Sequence, residues 1–244
     1  MSSYLQLQLR LPLLRRRPIQ CASDRQALFN RIAPVYDTLN DFLSLGQHRI
    51  WKRMAVSWSC AKPGDCVLDI CCGSGDLAFL LSQKVGSTGK VTGLDFSWEQ
   101  LSIASSRQRS LSKPCYENIG WVEGDALNLP FPDCSFDAIT MGYGLRNVVD
   151  KRKALEEIFR ASILDFNKTT QPTVAAIQEW MINNIVVPVA SSYGLADDYR
   201  YLSKSIREFS TGKELEDLAL EVGFSTSVHY ELSGGLMGNL VASR

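Results

Sequence analysis

The stretch VLDICCGSGDLAF, residues 67 to 79, sets Asp69, the adjacent pair Cys71 and Cys72, and a Gly73-Ser74-Gly75 turn on one short piece of chain. Three chemistries could use such a stretch: a metal, a disulfide or a small organic cofactor. Seven cysteines in 244 residues give no CxxC pair and no Cys/His cluster with zinc spacing. Neighbouring side chains on an extended backbone point to opposite sides, so Cys71 and Cys72 cannot easily share one ion and are expected to pack as small apolar groups. The cofactor reading remains. Val67 to Ile70 reads as a short apolar strand, the glycines allow close approach of a ligand to the main chain, and Asp76 opens an apolar helix.

Gly73, Gly75 and Ala78 satisfy G-x-G-x-x-G/A, and Asp95 follows about 20 residues later at the end of a second strand, where a ribose hydroxyl pair would sit. By itself this pattern fits a nicotinamide dinucleotide as well as another adenosine-containing cofactor. Two features favour a cationic one. Asp69 places a carboxylate beside the turn, which disfavours a pyrophosphate and favours an ammonium and a sulfonium. Ile119 to Val122 then leads into Glu123-Gly124-Asp125-Ala126, where Asp125 could accept from an adenine amino group. Carboxylates at three strand ends outline a pocket for S-adenosyl-L-methionine, and no metal is called for.

The elements that must position these groups alternate. Strands are expected at 90–94, 119–122, 136–141 and 162–166, and two more around Val228 to Tyr230 and Leu240 to Ala242, joined through Gly234-Gly235. Ser97-x-x-Gln100 and Thr211-x-x-Glu214 are capping boxes, and Asp150 caps a helix over 151–160 with Ala154, Leu155, Ile158 and Phe159 inward. A helical insertion at about 173–209 is expected to break at Pro188. This layout is a doubly wound, mainly parallel α/β sheet with an antiparallel C-terminal strand, and one such domain accounts for residues 24–244.

Charge shapes the remaining expectations. The 26 basic and 26 acidic residues cancel, yet Arg10, Arg15, Arg16 and Arg17 are the only charged residues before Asp24. An Arg-bearing, acid-free leader over 1–23 has the composition of an organelle transit peptide with a cut near Cys21. The rest of the chain is net acidic, which argues against general nucleic-acid binding. Met181 to Ala196 is interrupted by Asn183, Asn184 and Pro188, so a transmembrane span is not expected.

Two longer motifs are specific. Phe29 to Asp37 (FNRIAPVYD), continued by Leu39-Asn40-Asp41 and Gly46 to Arg53 (GQHRIWKR), resembles the N-terminal signature of the ubiquinone/menaquinone biosynthesis C-methyltransferases. Gly142 to Val148 (GYGLRNV) resembles that family's second signature. The likeness runs from about residue 27 to the C-terminus, and the wording of MGYGLRNVVD, SILDFNK and SGGLMGNLVA is closest to its plastid branch. It implies a class I, Rossmann-like fold and cofactor contacts at Ser74, Asp95, Asp125, Ala126 and Gly142. It further implies methylation of a reduced, prenylated naphthoquinone on the way to vitamin K1 in the chloroplast. A benzoquinol acceptor and a mitochondrial location are the alternatives.

For the acceptor, the candidates are Arg146, which would orient a water or stabilise a phenolate, with Asn147 beside it and Tyr36 closing over the site. His48 lies in a basic run, HRIWKR, and is expected on a helix flank; His229 is given no role. The insertion could wall a site for the prenyl tail, and a lipid-tailed substrate implies peripheral membrane contact. One departure stands out. Family members pass through a Val-Leu-Lys-Pro-Gly-type turn before the fifth strand, whereas here Arg160-Ala161 abuts Ser162 directly, about eight residues short of a normal helix-to-strand connection. The last helical turn is expected to unwind as the connection, with Ala161 and with it Phe159 leaving the core or shifting register, and an inactive shortened variant is the alternative outcome.

Overall fold

A computed structural model describes residues 22–33, 41, 44–158 and 160–244. The proposed leader at 1–23 falls almost wholly outside these residues, as do Tyr36 and Phe159. The centre is a seven-stranded sheet: β1 (Cys66–Ile70), β2 (Lys90–Asp95), β3 (Ile119–Glu123), β4 (Ala138–Gly142), β5 (Arg160–Phe166), β6 (Thr226–Leu232) and β7 (Met237–Ser243). The spatial order is β3-β2-β1-β4-β5-β7-β6. The first five strands pair in parallel, and β7 lies antiparallel to both β5 and β6. Strand order reverses between β1 and β4, and in open α/β sheets the crevice outside the strand ends at such a point is where ligands bind.

The helices cover both faces because their apolar stripes have nowhere else to go. On one face Leu68, Ile70, Ile139, Met141 and Ile163 pack under Leu155, Leu215 and Ala219. On the other, Val67, Val91, Ala138 and Leu164 meet α2 (Gln47–Trp58) and α3 (Asp76–Val85) through Ala55, Leu77 and Leu81. A third apolar cluster joins α1 (Ala22–Ile32) to the insertion, with Leu28 and Ile32 against Ile182, Val186, Ala190 and Ile206.

Caps act where the sequence places them. Ser97 Oγ accepts from Gln100 N at 3.2 Å to start α4 (Trp98–Leu111). The reciprocal half of that box is missing, and the Gln100 side chain turns elsewhere. Thr211 and Glu214 form a complete box.

The insertion departs from expectation. Helix runs without a break from α6 (Pro172–Met181) through a π-helical stretch, Ile182–Val186, into α7 (Val187–Ser191), and α8 (Ala196–Glu208) follows. Wider π turns ahead of Pro188 accommodate the N–H that proline lacks, so it sits in the first turn of α7 instead of breaking the helix.

The shortened connection is resolved largely as expected. The helix after β4, α5 (Lys151–Glu156), ends early, and β5 begins at Arg160, three residues after Glu157. Three residues lie within the usual range for such a link. Ala161 did not leave the core: it pairs with Ile139 and Ala242 and is 1% exposed. Because β5 lies between two strands, moving Ala161 would have cost both ladders, whereas unwinding the helix cost only exposed backbone. Ile158 plugs the connection at 1% exposure. Ile158→Ala is expected to cost about 2 to 5 kcal/mol in a urea unfolding experiment, against a few tenths if the connection were loose.

Candidate active site

The site is built at the carboxyl ends of β1, β2, β3 and β4. A cavity of about 350 Å³ is lined there by Cys71 to Ser74, Leu94 to Phe96, Gly124 to Leu127 and Gly142 to Gly144, with Gln100 and Asp76 from helices. Asp95 organises it. Its Oδ2 accepts from Gly73 N at 2.8 Å and its Oδ1 from Ser97 N at 2.9 Å, so one carboxylate ties the glycine turn to the cap of the next helix. Burial pushes its pKa up to about 6, opposed by those backbone donors. Lone pairs remain on both oxygens for ligand hydroxyls. Gln100 Oε1 is buried against the cavity without a partner among the described residues, an acceptor still to be satisfied.

The other expected cofactor residues divide. Gly73, Ser74, Asp125, Ala126 and Gly142 line the cavity. Ser74 is fixed by Arg107, whose Nη1 donates to its carbonyl at 2.8 Å and its hydroxyl at 2.9 Å. Asp125 is exposed, with Oδ1 accepting from Leu127 N at 3.0 Å. Gly75 serves packing instead: its φ is +92°, and a Cβ there would meet Trp121 at 2.6 Å. Asp69 is a correction. It sits one residue before the end of a central strand, between Gly93 and Thr140, fully buried and outside the cavity lining. Thr140 Oγ1 donates to its Oδ1 at 2.7 Å, and burial raises its pKa to about 7. Cys71 and Cys72 both line the cavity, where burial raises their pKa values and keeps them thiols.

Several groups carried no motif. Asp76 lies between Lys52 Nζ at 2.6 Å and Arg107 Nη2 at 2.7 Å. Burial raises its pKa, but these two cations outweigh that and hold it well below the ordinary carboxylate range. The N-terminal helix roofs the cavity. Asn30 Oδ1 accepts from Ser97 Oγ at 2.7 Å, Gln26 donates to the Phe96 carbonyl, and Phe29 meets Phe96 edge-on.

A second cavity, about 160 Å³, adjoins the first and shares Phe29, Tyr143 and Asn147 with it. Its walls are mostly apolar: Leu28, Ile32, Trp51, Phe166, Met181, Ile182, Val186 and Leu202. Arg146, Asn147 and His48 are among its polar groups, with Ser44, Gln178 and Asp198. Arg146 is no surface residue. Its backbone N and its Nε donate to the two oxygens of Asp165, at 2.9 and 3.1 Å, while Nη1 reaches Ser205 at 2.5 Å and Asn147 Oδ1 at 3.2 Å. Tyr201 also donates to that amide oxygen at 3.2 Å. Asp165 was overlooked in the sequence, although it is one more carboxylate near a parallel strand's end. His48 is buried within α2, not on an outer flank.

Among the described residues, no cluster of three or more His, Cys, Asp and Glu could hold a metal ion, and no helix is long and apolar enough to cross a membrane. The buried carboxyls make a pH prediction. The unfolded chain ionises Asp69 near 3.8, while the folded chain holds its proton to about 7. The folded state therefore binds more protons across that window and loses stability as pH climbs through it. Asp69→Asn keeps the acceptor for Thr140 and should stabilise the free protein by more than about 1 kcal/mol at pH 8, with little gain at pH 4, read from thermal unfolding at both pH values.

Solved structures with the same fold include a SAM-dependent methyltransferase from Aquifex aeolicus, at TM-score 0.60 and 17% identity, covering 84% of this chain and 96% of that one. An arsenic(III) S-adenosylmethionine methyltransferase from Chlamydomonas reinhardtii aligns at TM-score 0.54 and 20% identity, over 79% of this chain and 72% of that one. Among sequence relatives, the chloroplastic 2-phytyl-1,4-beta-naphthoquinone methyltransferase of Arabidopsis thaliana is 64% identical over 94% of this chain and 91% of its own length. A 2-phytyl-1,4-naphthoquinone methyltransferase of Nostoc punctiforme is 53% identical over 90% of this chain and 97% of its own. Residues 20–243 match the ubiE/COQ5 methyltransferase family, and the chain belongs to that family, whose methyl donor is S-adenosylmethionine.

Proposed function

We propose that this enzyme methylates a ring carbon of reduced 2-phytyl-1,4-naphthoquinone in the chloroplast, the last carbon methylation on the way to vitamin K1. The observation that carries this reading is the pair of adjoining cavities, one bearing Asp76, Asp95 and Asp125 around the glycine turn, the other walled mostly by apolar side chains, meeting at Phe29, Tyr143 and Asn147. Relatives of 64% and 53% identity bearing that substrate in their names support the ring system and, in the Arabidopsis protein, the compartment.

S-adenosylmethionine supplies an electrophilic methyl group on a sulfonium. In the polar cavity the Asp95 carboxylate and Gln100 Oε1 are acceptors suited to ribose and nucleoside donors, the Gly73–Ser74 turn permits close backbone approach, and Asp125 with Ala126 edges the far end. Asp69, buried behind the turn, adds negative potential without contact only above its raised pKa of about 7.

In the apolar cavity a quinol ring needs a hydroxyl made electron-rich at the moment of attack. Arg146 is held in place by Asp165, and a fixed buried cation next to a developing phenolate lowers the energy of that charge without reorganising. Asn147 is locked on both sides, Nδ2 donating to the Tyr143 carbonyl at 3.0 Å, so it can define the ring's edge. Met181, Ile182 and Val186 from the inserted helices offer apolar surface to the start of a phytyl tail. Exposed Ile177, Trp180 and Ile185 lie on the same helical stretch and suit peripheral contact with a lipid surface.

The test is transfer of labelled methyl from S-adenosylmethionine to chemically reduced 2-phytyl-1,4-naphthoquinone by residues 22–244. Product from that acceptor is expected; no product, with transfer to a benzoquinol instead, would overturn the ring assignment. Arg146→Lys should lower kcat about 100-fold, because a lysine cannot reproduce the fork that engages Asp165, Ser205 and Asn147, while the KM for S-adenosylmethionine changes little.

A further inference from the structure

Resting on this reading of the two cavities, we propose that His48, oriented by Asp41, accepts the proton from the quinol hydroxyl. His48 Nε2 lies 2.7 Å from Asp41 Oδ1, and Asp41 is itself gripped by Arg49, whose Nε and Nη2 donate to its two oxygens at 2.9 and 2.6 Å. Those bonds, from Arg49 first and His48 second, hold the Asp41 carboxyl below its usual range. An ionised Asp41 fixes the proton of neutral His48 on Nε2, which leaves the lone pair on Nδ1. That nitrogen is buried and has no partner among the described residues, while the ring lines the acceptor cavity with Arg146 and Asn147. A buried acceptor with nothing to accept is expensive to maintain and marks a place for a ligand donor.

The step balances. The hydroxyl proton moves to Nδ1 as the ring's electron pair forms the bond to the methyl carbon, and the breaking S–C bond leaves its pair on sulfur. The methylated carbon then gives up its hydrogen as a proton, restoring the aromatic ring, and the oxygen takes a proton back from the imidazolium. One proton leaves per turnover. Asp41 stabilises the imidazolium in the interval. The other charged or titratable groups of the acceptor cavity are Arg146 beyond β4 and Asp198, Tyr199 and Tyr201 from α8, while Arg49 and Lys52 share the His48 helix.

His48→Ala and His48→Gln are the tests, with S-adenosylhomocysteine affinity as the check on folding. The expected result is affinity within about threefold of wild type and kcat lower by about 10² to 10³. Turnover by the variants should rise about tenfold per pH unit above neutral, as bulk ionisation of the quinol replaces the lost acceptor, while the wild type levels off. Independently of turnover, adding a 2-alkyl-1-naphthol, a redox-stable stand-in for the quinol, should shift the Nδ1 resonance in ¹⁵N NMR of the wild type. Wild-type kcat in His48→Ala, a reduced kcat with an unchanged pH profile, loss of cofactor binding in both variants, or an unmoved Nδ1 resonance would each overturn the proposal. A wild-type enzyme inert toward the quinol would instead overturn the substrate reading.

Discussion

One buried carboxylate holds the catalytic end of this sheet together. Asp95 ends β2 and takes Gly73 N–H with one oxygen and Ser97 N–H with the other. Through the first bond the turn after β1 is shaped into a cavity wall; through the second, α4 starts where Gln100 can face that cavity. The arrangement has an energetic cost, visible in a pKa raised to about 6. The folded chain thus keeps a carboxyl that gains more from a ligand's hydroxyl donors than from its own surroundings, a common pattern where stability is given up for binding.

The second cavity depends on the first through the N-terminal helix. Asn30 bonds to Ser97, the residue Asp95 fixes, while Arg31 reaches Asp198 of α8 at 2.6 Å. One helix therefore bridges the cofactor end of the sheet and the inserted helices, and Leu28 and Ile32 seal the apolar side. On the opposite wall, Asp165 and Phe166 together position Arg146: the Asp165 oxygens take its backbone N–H and side-chain Nε, and the Phe166 ring lies under the guanidinium at 5.4 Å. Buried ion pairs of this kind seldom add stability, but breaking one strands a charge, which makes the orientation of Arg146 hard to disturb.

Much of this was legible in the chain. Alternating apolar runs and caps revealed the parallel sheet, and the glycine turn with Asp95 marked the cofactor end, because period and turn chemistry are local properties. What failed was long-range. Asp69 looked like a pocket carboxylate, yet pleating and the neighbouring strands enclosed it against Thr140. Gly75 looked like part of a ligand cradle, but it is small because Trp121 comes from β3 to pack on it. Asp165, Gln100 and the His48–Asp41 pair acquire meaning only when elements far apart in sequence meet. The abrupt passage from α5 to β5 read as a threat to the core, whereas the chain shortened the helix and kept Ala161 in its ladder. Strand pairing on both sides outweighed one turn of helix.

Titration calorimetry of S-adenosylhomocysteine in buffers of differing ionisation enthalpy would test directly that Asp95 is the group the nucleoside engages. At pH 6 the wild type should release about half a proton per site, because binding recruits the ionised carboxylate, and the release should fade by pH 8. Asp95→Asn should abolish that release and weaken binding at least tenfold. Wild-type affinity in Asp95→Asn, or proton release unchanged by the substitution, would contradict the account.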